Sequence, residues 1–313
     1  MSLAEHLPAL QVVIPLVSAP LAVLLRRASL AFAVVTLAAW TAFATAIAIW
    51  LQVDASGTIS YHIGHWAPPW GIEYRVDRLN SFLLVLVSGI AAVVLPYSRA
   101  SIAKEIAEER HYLFYAMLGL CLTGLLGITI TGDAFNLFVF LEISSLSAYV
   151  LIALGRDRRA LMAAFQYLIM GSIGATFIVI GIGLLYLMTG TLNIADIARY
   201  LREIDNTRPV LAALAFFTVG VSLKAAMFPL HQWLPNAYTY APSAVTALLA
   251  ATATKVSLYV LIRFYFTIFG ESLIFEKLPL PQVMLVLSLF AMFVANFVAI
   301  FQDNLKRLLA YSS

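Results

Sequence analysis

The chain has 313 residues, of which 62% are hydrophobic and 11% charged, with a formal net charge of +3 and a mean hydropathy of +0.93. That balance excludes a soluble globular domain and places the chain among polytopic membrane proteins, while the small, scattered charge implies no nucleic-acid surface. Apolar stretches run on for about 20 residues without period-two alternation, so the expected class is an all-α helical bundle and not a β-barrel.

Hydropathy predicts nine spans. The first, 7–25, lacks a basic segment before it and leads through Arg26 and Arg27 into the second, 29–51. It reads as a retained helix, not a cleaved signal. Residues 52–76 hold Trp66, Pro68, Pro69 and Trp70, which suits an irregular aromatic cap at headgroup level. The third span, 79–97, follows Asp77 in YRVDRLN, where the acid is expected at the helix start, paired with Arg75 or Arg78. The fourth, 113–131, encloses the single cysteine, Cys121, which excludes an intrachain disulfide and a thiolate metal cluster. The fifth, 134–154, opens on Gly132 and Asp133, with Asp133 as N-cap and Asn136 three residues on.

After GRDRR comes the sixth span, 161–188, then a loop over 189–208 whose LNIADIARYLREI pattern predicts a short interfacial helix. The seventh (209–230), eighth (242–266) and ninth (282–301) spans follow. DNLKRLLAYSS then reads as the amphipathic start of a tenth helix, so the sequence is expected to be cut short, either a fragment or one piece of a split subunit. Lys and Arg are more numerous in the loops on the side of GRDRR, which predicts the N-terminus outside and that side inside.

Three ionisable residues lie in apolar runs: Glu142 in the fifth span, Lys224 in the seventh and Lys255 in the eighth. Together they cost on the order of 8 to 10 kcal/mol unless partners, water or neutral protonation states offset it, so they are candidates for an ion path. Glu142 lies nine residues beyond Asp133, about 13 Å into the core, with Ser145 and Tyr149 on the same face. Lys224 precedes Pro229 by five residues, and the proline is expected to free the Ala225 carbonyl and break the helix. His231, Gln232 and Trp233 fall just past that break. Lys255 is expected near mid-membrane among Thr252, Thr254 and Ser257, out of easy reach of either headgroup layer. The bland readings are a protonated Glu142 in one interhelical bond, a snorkelling Lys224, an interfacial His231 and a Lys255 bonded to helix carbonyls. His62 and His65 have metal-like spacing without further ligands. No nucleotide loop, metal cluster or redox-cofactor motif is read, so neither cofactor nor metal is expected.

In GDAFNLFVFLEISSLSAYVLIALG, SLKAAMFPLHQWLPNAYTYAPSAVTALLAATATKVSLYVLIRF and DNLKRLLAYSS the chain resembles the antiporter-like membrane subunits shared by respiratory NADH:quinone oxidoreductase (complex I) and Mrp-type multisubunit cation/proton antiporters. FLEISSLSAYVLIALGRDRR followed by LNIADIARYL looks closest to the Mrp D-type subunit. The resemblance implies inverted five-helix units, each with a broken helix. Residues 1–112 would be three N-terminal helices with the cap loop, 113–266 the first unit, and 267–313 the incomplete start of the second. It implies further that Glu142 pairs with Lys224, that Lys255 is the central lysine of a proton path, and that His231 lies at the break. Counted from Asp133 and Arg208, however, Glu142 and Lys224 sit roughly 10 Å apart in depth.

The function so implied is proton translocation in a multisubunit sodium/proton antiporter of the cell (inner) membrane. Other membrane subunits, protons and sodium or potassium would be its partners. The alternative is a proton-pumping subunit of an NADH:quinone oxidoreductase or related membrane-bound hydrogenase complex, a translocase subunit without its own redox site. A self-contained solute carrier and a purely structural membrane subunit are rival readings.

Overall fold

The computed structural model describes residues 3–204 and 208–313; residues 205–207, in the loop expected over 189–208, lie outside the described residues. Among the described residues the architecture is all-α, with one two-stranded hairpin. Helices α1 (Leu7–Leu25), α2 (Ala28–Ser56), α3 (Arg78–Glu105), α4 (His111–Ile130), α5 (Ala134–Ala153) and α6 (Arg159–Thr189) come first. They are followed by α7 (Ile194–Tyr200), α8 (Arg208–Lys224), α9 (Trp233–Tyr240), α10 (Ser243–Ile262), α11 (Leu280–Ile300) and α12 (Leu305–Ser312). Among the described residues, eight helices are long and apolar enough to cross a bilayer. The expected seventh span is the exception, because it is broken. Its first piece, α8, has 17 residues, about 25 Å of helix, which is short of a hydrocarbon core of about 30 Å.

The core is centred on α4, whose span is 83% buried and which packs against α1, α2, α3, α5 and α10. Helices α5, α6 and α8 pack in succession beside it. The α6–α8 approach depends on two facing glycines: a Cβ on Gly220 would lie 2.7 Å from the Gly174 carbonyl oxygen. Larger residues there would separate the helices. By contrast, α11 buries only Ala299 and makes its main contacts with α12.

Three local expectations are corrected. Helix α3 runs to Glu105 instead of residue 97, because hydropathy falls where charge begins while the backbone ladder continues, up to Ile106 N–H donating to the Ile102 carbonyl. The loop after α2 is not wholly irregular: β1 (Ile59–His62) pairs antiparallel with β2 (Glu73–Val76). Their ISYH and EYRV sequences alternate aromatic or β-branched residues with polar ones. Asp77 does cap α3, accepting from the Leu79 and Asn80 N–H groups, but its cationic partner is Arg263, past the end of α10, at 2.5 Å. Arg78 instead makes an exposed pair with Asp54.

Opposite ends of the bundle are built differently. At the hairpin end, the Glu73 carbonyl accepts from Gly132 N–H at 2.8 Å. The Glu73 carboxylate accepts from Ser60 at 2.5 Å and Asn193 at 2.7 Å. Asn193, which caps α7, also lies in a bridge with Asp133, and Ala134 N–H donates to the Leu192 carbonyl. Hairpin, α4–α5 corner and α7 are thereby joined by backbone and side-chain bonds. At the far end the start of α10 has no side-chain N-cap of its own; the Glu105 carboxylate accepts the Ser243 N–H at 2.7 Å and Lys306 donates to the Ala241 carbonyl at 3.0 Å. An anion at a helix N-terminus is favoured by its free N–H groups.

Candidate functional site

Helix α8 ends at Lys224, nearer the lysine than the proline alone predicts. Ala226 adopts a left-handed conformation, φ 54°; its N–H donates to the Leu223 carbonyl at 3.2 Å and Met227 N–H to Ser222 at 2.9 Å. Those two bonds around a left-handed residue form a Schellman C-cap, with alanine where glycine is usual. Lys224 is therefore a terminal helical residue, 4% exposed. Its Nζ donates to Glu142 Oε1 at 3.0 Å and Ser145 Oγ at 2.8 Å. The Glu142 side chain remains 25% exposed.

The depth offset counted along the sequence is thus closed, since counting takes both helices as level and parallel to the membrane normal and ignores the four-carbon lysine stem. Ser145, noted in the sequence only as a polar neighbour of Glu142, is the second acceptor for the ammonium. A cavity of about 20 Å³, bordered by Lys224, Ser144, Ser145, Tyr167 and Ser257, adjoins the pair and is on the scale of one water molecule.

The structure does not bring the other candidates into this pair. Lys255 is exposed and donates to its own helix at the Ala250 carbonyl, 2.7 Å away. The buried stripe of α10 runs through Leu248, Thr252, Val256 and Tyr259, and Lys255 stands off it. An apolar run fixes depth but not facing, and the bond to its own helix is the one the bland reading of Lys255 gives. His231 is half-buried in the break, stacked on Phe228 at 5.5 Å, with its Nδ1 enclosed and unbonded. It lines a cavity of about 350 Å³ between the break, α11 and α12, which Thr254, the residue before Lys255, also borders.

Two carboxylates at the hairpin end have displaced proton affinities. Burial alone would raise Asp77, but the hydrogen bond and charge of Arg263, with the Asn80 and Leu79 N–H groups, hold it below the usual carboxylate range. Asp133, the N-cap of α5, is raised by burial, against the pull of the Asn136 and Phe135 N–H groups. His62 bonds to Ser60 at 3.2 Å.

The family described as NADH:quinone oxidoreductase/Mrp antiporter, TM, matches residues 131–313, the stretch that contains the pair and the break. The chain belongs to this family. It is a multi-pass membrane protein. It is 43% identical to NADH-quinone oxidoreductase subunit N of Desulforudis audaxviator, over 99% of this chain and 62% of that protein. It is 32% identical to the D-type subunit of the Na(+)/H(+) antiporter of Alkalihalophilus pseudofirmus, over 85% of this chain and 53% of that protein. Among solved structures it matches the Mrp complex from Dietzia sp. DQ12-45-1b with a TM-score of 0.87 at 27% identity, covering 99% of this chain and 57% of the matched one. The chain thus spans between half and two thirds of the length of these relatives.

Proposed function

We propose that the chain is a proton-translocating membrane subunit of a multisubunit sodium/proton antiporter of the cell membrane, with its N-terminus outside and other membrane subunits of the complex as partners. The buried Glu142–Lys224 pair beside a broken helix carries this reading. An ionised Glu142 holds the Lys224 ammonium in place, and the open quarter of the Glu142 side chain gives a neighbouring subunit or an incoming sodium or potassium ion access to the carboxylate. When that partner weakens the pair, Lys224 releases its proton through water and His231 toward Lys255. The cavity shared by His231 and Thr254 supports that direction. In this scheme residues 113–266 form the first transport unit, 1–112 flank it and 267–313 begin the next.

The test is proton uptake by vesicles containing the complete complex, driven by an opposing sodium gradient. Lys224→Ala and Lys255→Ala are each expected to abolish uptake while assembly persists, and unchanged uptake would refute the scheme. The 43% identity to a relative named NADH-quinone oxidoreductase subunit N favours a second reading, in which quinone reduction elsewhere in the assembly weakens the same pair. Uptake that follows NADH oxidation and ignores the sodium gradient would select it.

A further inference from the structure

A lysine at the last residue of a helix is held less firmly than one in mid-helix, because the carbonyls of the final turn lack their usual partners. Here Met227 N–H, which would serve Leu223 in an unbroken helix, goes to Ser222. The Leu223 carbonyl keeps only the Ala226 N–H at 3.2 Å from its own segment and takes a second bond from across the break. Trp233, the first residue of α9, donates its indole N–H to it at 3.0 Å. The indole is 3% exposed and lies flat on Tyr167 of α6, with ring centroids 3.8 Å apart and planes at 2°. Tyr167 meets Tyr149 edge to face at 4.6 Å and 86°. Tyr149 lies on α5 seven residues past Glu142, and its buried hydroxyl sits against α6 at Gly171, where any Cβ would overlap it. The aromatic series Trp233–Tyr167–Tyr149 therefore runs from the carbonyl beside the lysine to the helix that carries the glutamate.

We infer that Trp233 is a positioning residue for the Glu142–Lys224 pair: its N–H, backed by Tyr167, fixes the end of α8 so that Lys224 stays in register with Glu142 and Ser145. The inference rests on the proposed role of the pair in proton transfer. The two ring contacts tie the α8 terminus to α5 through α6. Trp233 transfers no proton itself, and its effect is read through Lys224.

The experiment compares the pH profile of proton uptake by vesicles containing the complete complex for the wild type, Trp233→Phe, Glu142→Gln and the double variant. Trp233→Phe keeps an aromatic plate and removes the N–H. It is expected to assemble normally, to slow uptake roughly fivefold, the scale of one lost neutral hydrogen bond, and to displace the profile in the same sense as Glu142→Gln by a smaller amount. In the Glu142→Gln background it should add no further displacement. A Trp233→Phe profile that superimposes on the wild type, beside an impaired Glu142→Gln, overturns the positioning role alone. An unimpaired Glu142→Gln overturns the proton-transfer reading instead. If Trp233→Phe does not assemble, Tyr167→Leu, which removes the backing ring and spares the N–H, is read by the same criteria.

Discussion

Severing the Glu142–Lys224 pair should cost stability asymmetrically, and the asymmetry follows from the burial of the two ends. At 3.0 Å and an effective dielectric near 20, the attraction is about 5 to 6 kcal/mol, much of it offset by the desolvation of the ammonium. Glu142→Gln keeps an acceptor but leaves a cation whose side chain is 3% exposed facing a neutral group. The expected loss is about 3 kcal/mol, the lower end for a broken buried pair. Lys224→Met leaves a carboxylate that is 25% exposed and so less completely enclosed than the ammonium, and a smaller loss of about 1 to 2 kcal/mol is expected. The Glu142→Gln/Lys224→Met double variant removes both charges and should recover most of the Glu142→Gln loss, leaving about 1 kcal/mol and giving a coupling energy of about 3 to 4 kcal/mol. Reversible unfolding by titration with SDS in mixed micelles measures all four proteins. A Lys224→Met variant less stable than Glu142→Gln, or a double variant no better than Glu142→Gln, would refute the assignment of Lys224 as the fully desolvated partner.

Three further outcomes are expected. Ala226→Gly should raise stability by up to about 1 kcal/mol, because the left-handed φ of 54° costs an alanine that amount and glycine almost nothing; Ala226→Val should lower it, and the same SDS titration reads both. Asp77 is held below its ordinary range, so its contribution is present above its unfolded value near pH 4 and lost as pH falls through the folded value. Thermal unfolding between pH 6 and pH 3 should therefore be steeper in pH for the wild type than for Asp77→Asn, and equal slopes would contradict the pairing with Arg263. Gly220→Val places a side chain against the Gly174 carbonyl; the expected loss is about 2 kcal/mol or more from overpacking. The same SDS titration reads the loss, and a Gly220→Val protein as stable as the wild type would contradict the close α6–α8 approach.

The kind of span and most of the limits were legible because burial in lipid demands long apolar runs: α1, α4 to α6, α10 and α11 begin and end near the predicted limits, whereas α2 runs five residues past residue 51 and the seventh of the nine expected spans stops short at Lys224. The acid, the first lysine and the need for a break were legible for the same reason: a charge or a proline in such a run is conspicuous. Facing was not. Lys255 and Lys224 sit in equally apolar sequence, yet α8 turns its lysine into the bundle and α10 turns its lysine out, a choice made by which helix face packs. The end of α8 was also hidden, since Ala226 takes the position where glycine would have marked the C-cap. The partners of Asp77 and Leu223 come from Arg263 and Trp233, 186 and 10 residues away. Sequence distance alone selects neither.

The hairpin end of the molecule is laced: Glu73, Gly132, Asp133 and Asn193 cross-connect three separate loops. The opposite end is joined by scattered side-chain bonds, among them Glu105 on Ser243, Lys306 on Ala241 and Arg159 on Tyr240, beside the interrupted α8–α9. Local opening is therefore expected to begin at that lightly pinned rim and to reach the hairpin rim last.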